Sequence, residues 1–122
     1  MSEPLRRRIA EQEERLATLH ARGVILVDPR QVWVGDDVDL ARVGGGAVLH
    51  PGSRLSGPRL WLGAGAEVGR EGPATLVDTV LAEGARIDGG YARGAVLLEG
   101  ASVGSAAHLR EGTLLEEQAS TA

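Results

Sequence analysis

The side chains in this sequence that could do chemistry are few: three histidines, two adjacent carboxylate pairs, and an arginine close to one of the histidines. His20, His50 and His108 have the donor type that zinc takes, but a zinc site needs its ligands convergent and backed by a second shell. Asp36-Asp37 and Glu116-Glu117 would suit general acid–base work only if one carboxyl of a pair were buried with a raised pKa. Gly44-Gly45-Gly46 and Gly63-Ala64-Gly65 have the composition of phosphate loops. A phosphate loop, however, leads into a helix whose first amides meet the anion, and it carries a Lys-Ser/Thr pair. The sequence has no lysine and neither glycine run leads into a helical pattern. His108 with Arg110 is the remaining candidate, an imidazole near a cation, where a base and an anion-binding group could act together.

The elements that must position these residues are unusual. Apolar residues are 43% of the 122, yet aromatics are 2% and phenylalanine is absent. Aromatics usually supply much of a globular core's buried area, so the core here must be narrow, regular and aliphatic. The net charge of -4 argues against nucleic-acid binding, which calls for a basic face. The absence of cysteine excludes disulfides and thiolate metal or redox sites. No stretch has the apolar length of a membrane span, and Met1–Arg8 lacks the apolar core of a signal peptide. The expected setting is cytoplasmic, with no nucleic acid and no membrane as partners.

Residues 1–23 read as an N-terminal α-helix. Ser2 can cap it, Pro4 sits in the first turn, and Gly23 can end it. Leu5, Ile9, Leu16 and Leu19 make a narrow apolar stripe, and Arg8, Glu11, Glu14 and Arg15 read as a solvated face. Val24-Ile25-Leu26-Val27 then reads as a short buried strand stopped by Asp28-Pro29.

Residues 24–122 carry a period of six. Leu97, Val103, Leu109 and Leu115 recur at that spacing, each followed four residues later by a small residue: Ala101, Ala107, Thr113, Ala119. Shorter runs repeat the phase in Val34/Leu40, Leu49/Leu55, Leu62/Val68 and Leu81/Ile87, with Val38, Ser53, Ala66 and Ala85 in the small position. Between the pairs, Val43–Gly46, Arg70–Pro73 and Gly89–Gly94 read as turns or small projecting loops. A six-residue period matches neither an isolated helix nor a simple strand. It matches a short strand, a turn and a repeat, with three sides closing a coil of about 18 residues and successive coils stacked about 4.8 Å apart. The aliphatic and small positions point inward. About four to five coils exceed the roughly three needed for a stable stack. The fold class is all-β, a parallel β-helix of hexapeptide repeats preceded by one α-helix. On this reading His50 and His108 lie about three coils, or about 14 Å, apart and cannot share an ion within one chain. The carboxylate pairs face solvent. Trp33, Trp61 and Tyr91 read as subunit contacts or coil caps, with a ring for a nucleotide base to stack on as the alternative.

Several stretches resemble one family, that of the bifunctional N-acetylglucosamine-1-phosphate uridyltransferase and glucosamine-1-phosphate acetyltransferase. They are Gly23-Val-Ile-Leu-Val-Asp-Pro29, Leu49-His-Pro-Gly-Ser-Arg-Leu55, Leu76-Val-Asp-Thr-Val-Leu81 and Val103-Gly-Ser-Ala-Ala-His-Leu-Arg-Glu-Gly-Thr113. The resemblance implies that the β-helix is left-handed and forms a homotrimer. It implies work in UDP-N-acetylglucosamine biosynthesis, acetyl-coenzyme A as donor, and a sugar phosphate or sugar nucleotide as ligand. Arg110 matches the family's arginine for the substrate phosphate, although Glu111 stands where the family has proline. The uridyltransferase domain, and the catalytic histidine, lysine and asparagines of later coils, have no counterpart before Ala122. The chain also contains no lysine or asparagine at all. The expectation is therefore a truncated or degenerate transferase, catalytically incomplete, whose catalytic residues are unknown and whose substrate-binding candidates are Arg110 and His108. No metal or cofactor is expected in the chain itself. Two alternatives stay open: a structural or assembly module, and a small acyltransferase with a trimer-interface site around Arg110 and His108.

Overall fold

Helix α1 spans Glu3–Ala21 in the computed structural model, which describes residues 2–121. Ser2 is extended ahead of it and its hydroxyl accepts the Leu5 N–H at 3.3 Å, so one of the orphan donors of the first turn is satisfied. Gly23, at φ +92°, turns the chain out of the last turn in a conformation that costs other residues dearly.

The apolar stripe of α1 is only half used. Leu16 and Leu19 are buried in the common core, whereas Leu5 and Ile9 stay 47% and 40% exposed. Polar residues make the decisive contacts instead. The Gln12 amide donates to the Val34 carbonyl and accepts the Val34 N–H at 3.0 Å. Arg15 donates to the carbonyls of Gly35 at 2.8 Å and Val38 at 2.6 Å. The expectation of a solvated Arg15 is thereby corrected. Its guanidinium seals the first coil, because unpaired backbone groups at a sheet edge invite foreign strands and cost free energy when buried dry.

From residue 25 the chain winds as a parallel β-helix of about five turns. The first turn lays down β1 (Ile25–Leu26) and β2 (Trp33–Val34); the next adds β3 (Val48–Leu49), β4 (Ser53–Ser56) and β5 (Trp61–Leu62). Then follow β6 (Glu67–Val68), β7 (Ala74–Val77) and β8 (Val80–Leu81), and β9 (Arg86–Ile87), β10 (Gly90–Arg93) and β11 (Val96–Leu97). The winding continues with β12 (Ser102–Val103), β13 (His108–Leu109), β14 (Leu114–Leu115) and β15 (Ser120–Thr121). Three faces result. The first stacks β1-β3-β6-β9-β12-β15, the second β2-β4-β7-β10-β13, and the third β5-β8-β11-β14, every neighbouring pair parallel. Parallel strands need a long crossover between them, and here the other two faces of the coil supply it.

The expected aliphatic positions Val34, Leu49, Leu55, Leu62, Val68, Leu81, Ile87, Leu97 and Val103 are all buried, as are Ser53, Ala66, Ala85 and Ala101. One core unites them with Leu16 and Leu19 of α1. Three expectations fail for local reasons. Gly90–Arg93 is a four-residue strand of the second face, not a projecting loop: Ala92 is fully buried, and Ile87, Ala92 and Leu97 follow at five-residue steps. Val24–Val27 alternates rather than being buried throughout, with Val24 inside and Ile25 and Val27 more than half exposed. Val43 belongs to the core and bridges to Leu62, while Leu40 sits half-buried at the start of a 3-10 turn.

The corner between the second and third faces is tight. Gly57, Asp78 and Gly94 all take positive φ there, at +97°, +48° and +59°. A Cβ on Gly57 would meet the Asp78 carboxylate at 2.2 Å. Asp78 tolerates the corner because its carboxylate accepts the Arg59 N–H at 3.0 Å. Among the described residues no helix is long and apolar enough to cross a membrane.

Leu81 is fully buried and Leu109 only half-buried against the core. Leu81→Ala is expected to cost about 2–5 kcal/mol in denaturant unfolding, and Leu109→Ala clearly less. Gln12→Ala is expected to cost about 1–3 kcal/mol and to speed amide exchange at Val34 selectively, as hydrogen-exchange NMR would show.

Candidate functional site

Two polar clusters stand out on the faces. On the second face the outward column runs Trp33, Arg54, Thr75, Tyr91, His108, one residue per coil in register. The Arg54 guanidinium lies 5.1 Å from the centre of the Trp33 ring, a cation–π arrangement. Further along, the Tyr91 and His108 rings have centroids 5.2 Å apart and tilt at 59°, the separation at which ring quadrupoles attract.

The register that sets Tyr91 beside His108 and Ala92 beside Leu109 carries Arg93 to the level of Arg110 on the neighbouring coil. Both arginines are exposed. Adjacent coils stand about 4.8 Å apart, and like charges so stacked repel. The ion pairs among the described residues involve Arg30, Arg42, Arg70 and Arg86, and neither Arg93 nor Arg110. The two form an exposed pair of like charges, with the Glu111 side chain beside Gly94 at the same corner. His108 and Arg110, named from the sequence, are both exposed here, with Tyr91, read from the sequence as a contact, cap or stacking residue, beside His108; Arg93 was missed because residues 89–94 read as a loop. Five-residue steps around a small inward Ala92 were the signal that would have found it.

The first face holds the other cluster. His50 Nε2 lies 2.6 Å from Glu67 Oε2. Asp88 has a side chain only 6% exposed, with Arg86 Nε at 2.9 Å and Arg70 Nε at 3.6 Å. Its backbone carbonyl accepts the Glu71 and Gly72 N–H groups, which folds the Arg70–Pro73 excursion back onto the coil. Arg86 Nε and Asp88 Oδ1 are close enough to pair in charge but are not aligned as a hydrogen bond, and it is the Asp88 carbonyl that holds the excursion. His20 lies on α1 and is exposed, far in sequence from both clusters. Asp36 and Asp37 are exposed, as expected, but Asp37 also accepts the Gly57 N–H at 3.0 Å and so braces a corner. Glu116 and Glu117 are exposed too. Hydrogen bonds from Gln31 and then Arg30 hold the Asp28 carboxyl below its ordinary pKa, which steadies the 3-10 turn Pro29–Gln31 that it caps.

Comparison with known proteins adds the decisive observation. The chain is 40% identical over 95 residues to the bifunctional protein GlmU of Nocardia farcinica and 44% identical over 94 residues to that of Streptomyces coelicolor. It is 36% identical over 116 residues to that of Cutibacterium acnes. The chain is a homologue of part of GlmU. These matches cover 78%, 76% and 94% of this chain but only 18%, 18% and 26% of the GlmU proteins, so the chain spans about a fifth to a quarter of their length. The longest leaves only a few residues of this chain unmatched, so the coils that carry Tyr91, Arg93, His108 and Arg110 lie within the part shared with GlmU. No family model matches the chain, and no solved structure matches it.

Removing the Asp88 carboxylate would leave Arg86 without its partner and loosen the excursion. Asp88→Ala is expected to destabilise the fold by about 1–3 kcal/mol and to speed limited trypsin cleavage after Arg70 relative to the native protein.

Proposed function

We propose that this chain is a GlmU-like hexapeptide-repeat β-helix related to UDP-N-acetylglucosamine biosynthesis that binds a sugar phosphate or sugar nucleotide without turning it over. The observation that carries the reading is the in-register pair Arg93 and Arg110 beside Tyr91 and His108, within the region shared with GlmU. Arg110 and Arg93 hold the phosphate. His108 and Tyr91 border it and meet the sugar. Acyl transfer to an amine requires a base at the nucleophile and donors for the developing oxyanion. His108 is the one imidazole at this patch, and the sequence offers no lysine or asparagine to complete such a site. A cytoplasmic setting accords with this reading.

The proposed assembly is a homotrimer. A slender prism has little core per residue, so burying a face between copies adds much. The third face supports this, with the outward column Trp61, Val80, Val96, Leu114, apolar over four successive coils. Light scattering is expected to give three times the chain mass, and Trp61→Glu to lower it.

The functional test is titration calorimetry of the full chain with glucosamine-1-phosphate and with N-acetylglucosamine-1-phosphate, next to turnover assays supplying acetyl-coenzyme A or UTP respectively. The expected result is saturable binding weakened about tenfold or more by Arg110→Ala, the loss of a charge-assisted bidentate contact, with no turnover. Turnover abolished by Arg110→Ala or His108→Ala would replace this reading with the small acyltransferase. Absence of binding to both sugars would favour the structural module.

A further inference from the structure

The large apolar side chains left exposed are unevenly placed. Of Leu5, Ile9, Ile25, Val27, Trp33, Trp61 and Leu114, the first five belong to α1 and the first coil. Three of them, Leu5, Ile9 and Trp33, border a trough of about 760 Å³ between α1 and the first coils, floored by Leu16 and Val32. A second hollow of about 560 Å³ shares Glu13, Leu16, Pro29 and Arg30 and reaches His20. Together they run beside α1 from Leu5 to His20, about 22 Å at the rise of an α-helix. That length suits a partner helix of about four turns, laid against apolar residues at helical spacing.

The charges around the trough are lopsided. Arg8, Arg30 and Arg54 line it against the single acid Glu13, although the whole chain carries a net charge of -4. Arg30 keeps its side chain 89% exposed despite its contact with Asp28, and Arg54 is steadied over the Trp33 ring. A second copy of the chain fits less well, because its own helix sets Arg6, Arg7, Arg8 and Arg15 against Glu3, Glu11, Glu13 and Glu14 and so has no excess of acid to answer these arginines. A flat bilayer would leave the concave floor unfilled. We infer that this trough docks an acidic amphipathic helix from a partner protein, its apolar stripe on Leu5, Ile9 and Trp33 and its carboxylates on Arg8, Arg30 and Arg54.

The test uses the full chain and a labelled synthetic helix of about 16 residues, with leucines on one face at i, i+3, i+4, i+7 spacing and glutamates elsewhere. Fluorescence anisotropy is expected to show saturable binding. Binding should weaken about tenfold or more in Arg8→Glu and in Arg54→Glu, and fall when salt rises from about 0.05 to 0.5 M, as screening removes the charge attraction. Ile9→Ser should weaken it as well. Circular dichroism and the thermal midpoint check that each variant is folded, and Arg8→Glu, on the exposed helix surface, carries the test should Arg54→Glu fail to fold. The inference is overturned if the same helix with lysines for glutamates binds as well, or if neither arginine variant weakens binding. It is equally overturned if anionic phospholipid vesicles compete the probe away at lower concentration than a second acidic helix does. Loss of the chain's own oligomer in Ile9→Ser would assign the trough to a second copy and overturn it too.

Discussion

Among the described residues no strand exceeds four residues, and a strand that short cannot hold itself together. What holds it is the ladder to the equivalent residues one coil before and one coil after. The ladder demands that each coil, whatever its length, return its three sides to the same places. Inward positions therefore stack Leu on Leu and Ala on Ala, as in Leu55 over Leu76 and Ala66 near Ala85, and the column excludes water without any aromatic ring. The corners absorb all variation in coil length. Their positive φ values, at Gly57, Asp78 and Gly94, mark where the chain is bent to keep that register.

The same stacking governs charge on the outside. A residue facing out sits about 4.8 Å from its counterparts above and below, so a charged column must alternate, pair sideways or recruit something else. The first face alternates and pairs: Glu67 lies in register with Arg86, while His50 and Asp88 reach them from the side. On the second face Arg54 is placed over an indole. Arg93 and Arg110, at the same level on neighbouring coils, make no ion pair among the described residues.

Most of the architecture was legible because a period of six is a long-range statement made locally. Each hexad names its own inward residue, and nine of the aliphatic positions so named are buried. The phase was lost where a side shortens to five residues, since Gly89-Gly90 and Gly94 read as loop punctuation although Ala92 between them faces the core. That one loss hid Arg93 and the placement of Tyr91 beside His108, while His108 and Arg110 were named from the sequence. The capping role of Gln12 and Arg15 was invisible for another reason. Helical spacing reports which face is apolar, but not that a polar side chain will meet bare carbonyls, because those belong to residues about twenty positions away. Handedness has no signature in the period and rested on the family resemblance alone.

A stack of nearly interchangeable coils has a peculiar ambiguity. Leu and Ala columns would match almost as well if one coil docked against the wrong neighbour, and the error would preserve every inward position. The helix removes that ambiguity at one place. Gln12 imitates a strand, with a donor and an acceptor spaced to meet both backbone groups of Val34, and Arg15 reaches Gly35 and Val38 a few residues on. Only the first coil presents that set of groups beside a helix tethered through Gly23. The cap thus acts as an origin from which the coils are numbered, and an error of one whole coil, invisible to the hydrophobic core, would leave the amide of Gln12 with nothing to pair.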